Sequence, residues 1–399
     1  MSKLVLYGTV ENAKKLLPEF KSKGYVPECF CDMDKNKQNI QFLGYPVLSI
    51  DEVKKKFLDF KVYVTLKEPE VYEEISKLIN EGVFREEQIL NDIKEKYISC
   101  DYLEYGLEAL SDGVYHCCGD QNTEDYAKLP IMPYDDTLFE DVDAFILRFI
   151  EQKRQIINGI NNGKHTSCTG CPYLREDYWH KTKKIRRLNY SLDHACNLKC
   201  SYCYKKKNGY KHTSSLDVNK IITKFKTSKF ISVEHPVIYS SGEISVQSDA
   251  DEIISNLQEY EVAYISNGTR YNANLHNMIK KTSSSILISL DSGTRETYKR
   301  IKGVDLFDKV CENIKKYSSD GGNVILKYII MEDNLNKADL DGFIDICKKS
   351  NVKNIRISRN WYEAEVTDKI KTAAIQLVYK AKRNNIFYYN DGTITCNNL

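Results

Sequence analysis

Proline is scarce in this chain of 399 residues, with eight, and glycine is modest, with nineteen. Those counts exclude collagen-like repeats and coil rich in proline and glycine. Charge of one sign is lacking too: 58 Lys and Arg face 56 Asp and Glu, a formal +2. No whole-molecule field therefore draws in nucleic acid or an anionic membrane, and no nucleic-acid partner is expected. Long apolar runs are absent. Ala144-Phe145-Ile146-Leu147 stops within a few residues, far short of the roughly 20 needed to span a bilayer. The start of the chain shows no signal-peptide layout and runs straight into a strand pattern at Leu4-Val5-Leu6-Tyr7. Neither an internal repeat nor a low-complexity tract is seen. The expectation is a cytoplasmic globular protein of two or three domains.

What the chain does have is cysteine, thirteen of them. In a reducing compartment these are poor material for a disulfide framework, and close spacing points to metal binding or catalysis.

The pattern divides the chain into three stretches. Residues 1–95 alternate strand and helix and read as a small Rossmann-like α/β domain. Its first βα turn, at Gly8-Thr9-Val10-Glu11, carries one glycine of the dinucleotide fingerprint, so close approach to a pyrophosphate is not encoded. Asp32 follows the second strand, where an acidic side chain can accept from a ribose hydroxyl or stand as a solvated turn residue. Residues 96–183 lack clean alternation and bear Cys100, Cys117, Cys118, Cys168 and Cys171. From 184 to 399, six strand patterns (187–193, 236–240, 262–266, 286–291, 324–331 and 352–358) alternate with helical ones. Such a series closes most economically as a (β/α)6 partial TIM barrel, and the whole chain is of α/β class.

At the carboxyl end of the first of those strands stands Cys196-Asn197-Leu198-Lys199-Cys200-Ser201-Tyr202-Cys203. Three thiolates on one strand-end loop can hold three irons of a cubane and leave the fourth open. The competing reading is zinc, with His194 as the fourth ligand.

The C-x-x-x-C-x-aromatic-C spacing resembles the signature of the radical S-adenosylmethionine (SAM) enzymes. That resemblance implies a [4Fe-4S] cluster on Cys196, Cys200 and Cys203, with SAM chelating the open iron. It further implies reductive cleavage of SAM to a 5′-deoxyadenosyl radical, abstraction of a substrate hydrogen, and an external reductant such as flavodoxin or ferredoxin. Tyr202 matches the family's aromatic position near the adenine. Ser241-Gly242-Glu243, after the second strand, is similar to the family's Gly-Gly-Glu, which holds the SAM amino group. Ser240 and Ser241 replace glycine there, and Ile244 stands where proline is usual. Ser266-Asn267-Gly268 resembles Thr-Asn-Gly at the third strand end. At the fourth, Ser289 and Asp291 fall where family members direct polar groups toward the SAM ribose. Lys327, Ser358 and Arg359 are implied contacts for the SAM carboxylate or the substrate. The run from Tyr298 to Val310 is similar to a family stretch that mainly packs. A non-catalytic iron–sulfur or zinc protein that binds a partner has no use for such contacts.

Cys117 and Cys118, with Cys168 and Cys171, supply four thiols for a second [4Fe-4S] cluster, loosely resembling the auxiliary clusters of peptide-, protein- and sugar-modifying members. A structural zinc or plain buried thiols are the alternatives, and Cys396 is the one cysteine beyond the barrel strands. His116, His165 and His180 lie near these cysteines. Cys29, Cys31, Cys311 and Cys347 fall in strand or helix patterns and read as core. The basic run Lys181 to Arg187 reads as a solvated connector, whereas Lys205-Lys206-Lys207 suits a phosphate or an acidic electron donor at the barrel mouth. Finally, Phe42-Leu43-Gly44-Tyr45-Pro46-Val47-Leu48 after Cys31-Asp32 resembles the N-terminal domain of bacterial sugar acyltransferases. It implies a sugar or nucleotide-sugar substrate, with a peptide or protein as the alternative.

Overall fold

The computed structural model describes residues 3–22, 26–67, 69–117, 131–180, 184–192, 195–203, 217–360 and 366–391. These form two compact units, one of Met1–Cys100, Ile160–Lys164 and Tyr173–Lys183, the other of Asp101–Gly159, His165–Pro172 and Lys184–Leu399. The stretch 96–183 is thus divided between the two. No helix among the described residues is long and apolar enough to cross a membrane.

In the first unit, β1 (Lys3–Tyr7), β2 (Pro27–Cys31), β3 (Tyr45–Leu48) and β4 (Phe60–Val64) are parallel, with Gln41–Phe42 antiparallel at one edge. The spatial order is β3, β2, β1, β4, with helices α1 (Asn12–Ser22), α2 (Ile50–Lys56) and α3 (Glu70–Asn80) between strands. Alternation decides β4: Phe60, Val62 and Val64 are buried while Lys61 and Tyr63 are only half-buried. A capping box of Ser49 and Glu52 starts α2. Cys29 and Cys31 are core, as expected. Asp32 is a buried clasp and not a solvated turn residue. Its Oδ2 accepts from the Thr9 N–H at 3.0 Å and the Thr9 hydroxyl at 2.5 Å, and its Oδ1 from the Asp34 N–H. Burial acts to raise its pKa, but those hydrogen bonds and Lys37 prevail and hold it below the usual carboxylate range. These bonds tie the end of β2 to the turn after β1. An antiparallel ribbon of Lys94–Ser99 with Arg175–His180 completes the unit.

The second unit carries all six expected strands in chain order: β7 (Arg187–Ser191), β8 (Val237–Tyr239), β9 (Val262–Ser266), β10 (Ser285–Ser289), β11 (Val324–Ile330) and β12 (Asn354–Arg359). Each pairs in parallel with the next. Two further parallel strands extend the sheet beyond the six. β13 (Phe387–Asp391) adds to β12, and β5 (Gly106–Leu110) pairs with β7 in the register Leu107↔Leu188. A hairpin partner, β6 (Gly113–Tyr115), then turns antiparallel to β5. Gly-Leu-Glu-Ala-Leu is too short and mixed for its sequence pattern to announce a barrel strand.

Helices α4 (Val142–Asn161), α5 (Val218–Thr227), α6 (Ala250–Asn256), α7 (Ala273–Lys281), α8 (Arg295–Lys302), α9 (Phe307–Ser318), α10 (Lys337–Lys349) and α11 (Asp368–Arg383) accompany the sheet. Short polar residues set their starts: the side chains of Asp217, Asn272, Thr294, Asn336 and Thr367 each accept a first-turn N–H. In β11 the residues Val324, Leu326 and Tyr328 are buried, whereas Ile325 and Lys327 are half-buried on the other face. The core is rich in fully buried tyrosine, including Tyr239, Tyr264 and Tyr328, whose hydroxyls reach Gln247, Met278 and the Asn334 carbonyl. Cys347 is core, and Cys311 is only half-buried.

Candidate functional site

The strands of a parallel sheet end where chain leaves for a helix, so their carboxyl ends collect loops from distant parts of the sequence. Here that end gathers Cys196–Cys203, Ser241–Glu243, Ser266–Thr269 and Asp291.

Glu243 is fully buried. Its Oε1 accepts from the Ser245 N–H at 3.1 Å, the Ser245 hydroxyl at 2.6 Å and the Ser266 hydroxyl at 2.8 Å. Its Oε2 accepts from the Asn267 N–H, which leaves that oxygen with capacity for one more donor, such as an ammonium. The Glu243 N–H donates to the Ala195 carbonyl at 2.7 Å, tying the second strand end to the residue before Cys196.

Asn267 and Asn197 lock together. The Asn267 amide donates to the Asn197 side-chain oxygen at 2.9 Å and lies 3.7 Å from the Cys196 sulfur. Thr269 closes the group: it accepts from the Asn197 amide at 2.9 Å and donates to the Asn267 oxygen at 2.7 Å. Cys196 is exposed, and Cys200 and Cys203 are half-buried. Burial pushes the Cys196 thiol up, while donation from the Leu198 N–H and the Asn267 amide works against it. Burial also raises Cys200, and the Lys302 ammonium opposes that rise.

The other flank of the loop rests on α8. The Lys199 N–H donates to the Lys302 carbonyl at 3.0 Å, and the Ser201 N–H to the Ile301 carbonyl at 2.8 Å. These are terminal helix carbonyls that have no partner further along the helix. Gly303 ends α8 with φ of +73°, and a Cβ there would lie 2.9 Å from the Lys199 carbonyl oxygen. Tyr202 packs against Ile301, Ile329 and Met331. Its hydroxyl donates to Asp291 Oδ2 at 2.5 Å and accepts from Lys302 Nζ at 2.7 Å, while Lys302 also meets Asp291 at 2.5 Å. Burial and then Asp291 hold the Tyr202 phenol well above its ordinary pKa.

Asp291, read from sequence as facing a ribose, is instead fully buried, with φ of +57°. Its Oδ1 accepts from the Ile329 N–H at 2.7 Å, and both of its oxygens are engaged. Ser241 is buried and its hydroxyl accepts from the Leu192 N–H at 2.7 Å. Gly242 takes φ of +45°. Ser289 and Lys327 are register partners on the half-buried face of β10 and β11. One strand on, Ile329 pairs with Ser358, which is fully buried with its hydroxyl turned to the Arg359 carbonyl at 3.3 Å. Lys302 was not read from sequence as a site residue, because a helix-end lysine carries no motif. The structural role of Asn197 was legible only as one letter inside the cysteine spacing.

Among the middle cysteines, Cys168 is buried, and its sulfur lies 3.4 Å from His116 Nε2. Burial and then Lys153 push His116 down to about 4. The Cys171 N–H donates to the Cys168 carbonyl at 3.0 Å, closing a turn in which Gly170 has φ of +79°. Cys117 is half-buried, while Cys118, Cys396, His194 and Lys205–Lys207 lie outside the described residues. Among the described residues, no three of His, Cys, Asp and Glu converge where a single metal ion could sit.

Residues 190–347 match the profile of the Radical SAM superfamily, so this part of the chain is a radical SAM domain. That superfamily uses a [4Fe-4S] cluster and SAM. The three thiols of the loop, with amide donors aimed at one of their sulfurs, suit such a cluster.

Over 183 residues the chain is 29% identical to "Probable GTP 3′,8-cyclase" of Saccharolobus solfataricus, covering 44% of this chain and 57% of that one. Over 157 residues it is 27% identical to the protein of the same name from Pyrococcus horikoshii, covering 38% and 48%. The chain thus spans about half the length of these curated relatives. Streptococcus suis SuiB bound to precursor peptide SuiA aligns with 75% of this chain and 73% of its own, at 13% identity and a TM-score of 0.42.

Proposed function

We propose that the protein is a radical SAM enzyme that abstracts a hydrogen atom from its substrate, with Cys196, Cys200 and Cys203 holding the cluster. The carrying observation is the grip on the cysteine loop at the strand ends, by Asn267 on one side and the end of α8 on the other. When bound, the cluster and SAM supply reductive cleavage of SAM to a carbon radical. The chain's part is placement. Glu243 Oε2 has capacity for one more donor, suited to the SAM ammonium, while the carboxylate holds Ser266 and Asn267 in position. Ser289 and Lys327 offer a hydroxyl and a cation on the half-buried strand face, suited to a ribose and a carboxylate. Tyr202, tethered by its phenol, presents its ring beside the loop. An external one-electron donor of the flavodoxin or ferredoxin type is required. The sugar substrate implied by the N-terminal likeness has no support from the named relatives.

We further propose that Cys117, Cys168 and Cys171 belong to a second thiolate centre, on the strength of the His116–Cys168 contact across 52 positions. Iron and sulfide content after anaerobic reconstitution tests both proposals, with wild type measured beside a Cys196/Cys200/Cys203→Ala triple variant. A cubane holds four irons, so about eight per chain falling to about four establishes two clusters. About four falling to zero leaves one cluster and a middle region without iron. Wild type without iron, or a Cys196→Ala variant that still forms 5′-deoxyadenosine, overturns the enzyme reading.

A further inference from the structure

Lys302 and Asp291 are an ion pair with side chains 1% and 0% exposed. Taking two charges out of water costs several kcal/mol per ion, and two apolar residues commonly fill such a space as well or better. Packing alone is therefore a poor reason for the pair to be there, and its surroundings supply another.

The pair is linked on one side to the cysteine loop and on the other to β11. The ammonium donates to Tyr202, which sits between Cys200 and Cys203, and Tyr202 donates on to Asp291. The Lys302 carbonyl accepts from Lys199, directly before Cys200. Gly303, the next residue, lies so close to the Lys199 carbonyl that a Cβ there would crowd it at 2.9 Å. Asp291 is itself immovable: β11 holds its Oδ1 through Ile329, and Asn334 donates to its carbonyl at 2.8 Å. The two opposite charges thus both lie against the side chain of the residue flanked by Cys200 and Cys203.

We propose that Lys302 and Asp291 are positioning residues for the cluster, fixing the Cys200–Cys203 segment through Tyr202 and setting by their opposed charges how readily the cluster takes an electron. This rests on the radical SAM reading above. Reduction adds negative charge to a cluster, so a buried cation beside a ligand raises its potential and a buried anion lowers it. A merely structural pair has no reason to move the potential in two directions.

The test uses the full chain, reconstituted anaerobically, with two readings: the midpoint potential of the cluster by redox titration, and the rate of iron loss to a chelator. Lys302→Met, which leaves the carboxylate alone, should lower the potential. Asp291→Asn, which leaves the ammonium alone, should raise it, and Lys302→Arg should stay near wild type. Tyr202→Phe should leave the potential near wild type while releasing iron several-fold faster. If Lys302→Met does not accumulate in folded form, Asp291→Asn against Lys302→Arg still carries the comparison. Shifts of the same sign, or none, with Tyr202→Phe holding iron as wild type does, overturn the inference. Wild type without a cluster overturns the parent reading; a cluster indifferent to both charges overturns this inference alone.

Discussion

Cys196, Cys200 and Cys203 lie on a loop gripped from two sides, with Asn267 reaching the first sulfur and backbone N–H groups around the second donating into the end of α8. Cys168 and Cys171 lie on a turn closed on itself, with His116 against one sulfur. Both regions belong to the same compact unit. The difference is in what surrounds the thiols. Around the first loop the supporting groups come from the end of β9 and from the last turn of α8, so elements of the βα layers dictate their place. Around the second, His116 lies against the Cys168 sulfur and the Thr166 hydroxyl accepts from the Cys168 N–H, both contacts made by loop and hairpin residues. A site is better judged by who holds the ligands than by how many there are.

Three measurements would break or sharpen that contrast. Glu243→Gln places an amide where Asn267 now donates to a carboxylate oxygen, and it weakens the bonds from Ser245 and Ser266. A loss of about 2 to 3 kcal/mol in urea unfolding is expected. A wild-type midpoint would show that the first loop does not depend on its strand-end supports. Next comes pH. His116 is held near 4 in the fold against 6.5 for the free side chain, so the unfolded chain takes up a proton that the folded chain refuses. Its contribution is intact above pH 6.5 and is lost as pH falls toward 4. Between pH 7 and pH 5 wild type should give up about 2 kcal/mol that a His116→Gln chain retains. Parallel pH profiles would mean that the histidine is not enclosed against Cys168. The smallest effect is expected for Gly303→Ala, about 1 kcal/mol from the left-handed backbone and the crowding of Lys199. Its informative reading is iron retention, which should fall for the first centre and leave the middle cysteines untouched.

Much of this arrangement was legible before any coordinates. The six strands showed their periods, and Glu243 and Asn267 stood out because each falls in a stretch that resembles a radical SAM motif at a strand end. Asp291 was legible as a strand-end residue, but its direction was not, since a positive φ turns its carboxylate inward toward Lys302. Lys302 was invisible because one lysine among the 58 basic residues carries no pattern. The added strand β5 was missed because five residues of mixed polarity have too little period to distinguish a barrel strand from a turn.

That added strand bears on how the protein is made. Gly106–Leu110 leaves the ribosome long before Arg187–Ser191, the strand it pairs with. In the interval, β6 can shield one side of it as a hairpin, but the other side presents bare amides and carbonyls beside the apolar side chains of Leu107 and Ala109. A nascent chain in that condition is an invitation to neighbouring chains. The molecule is most vulnerable to aggregation during synthesis, in the interval before β7 emerges to seal the seam.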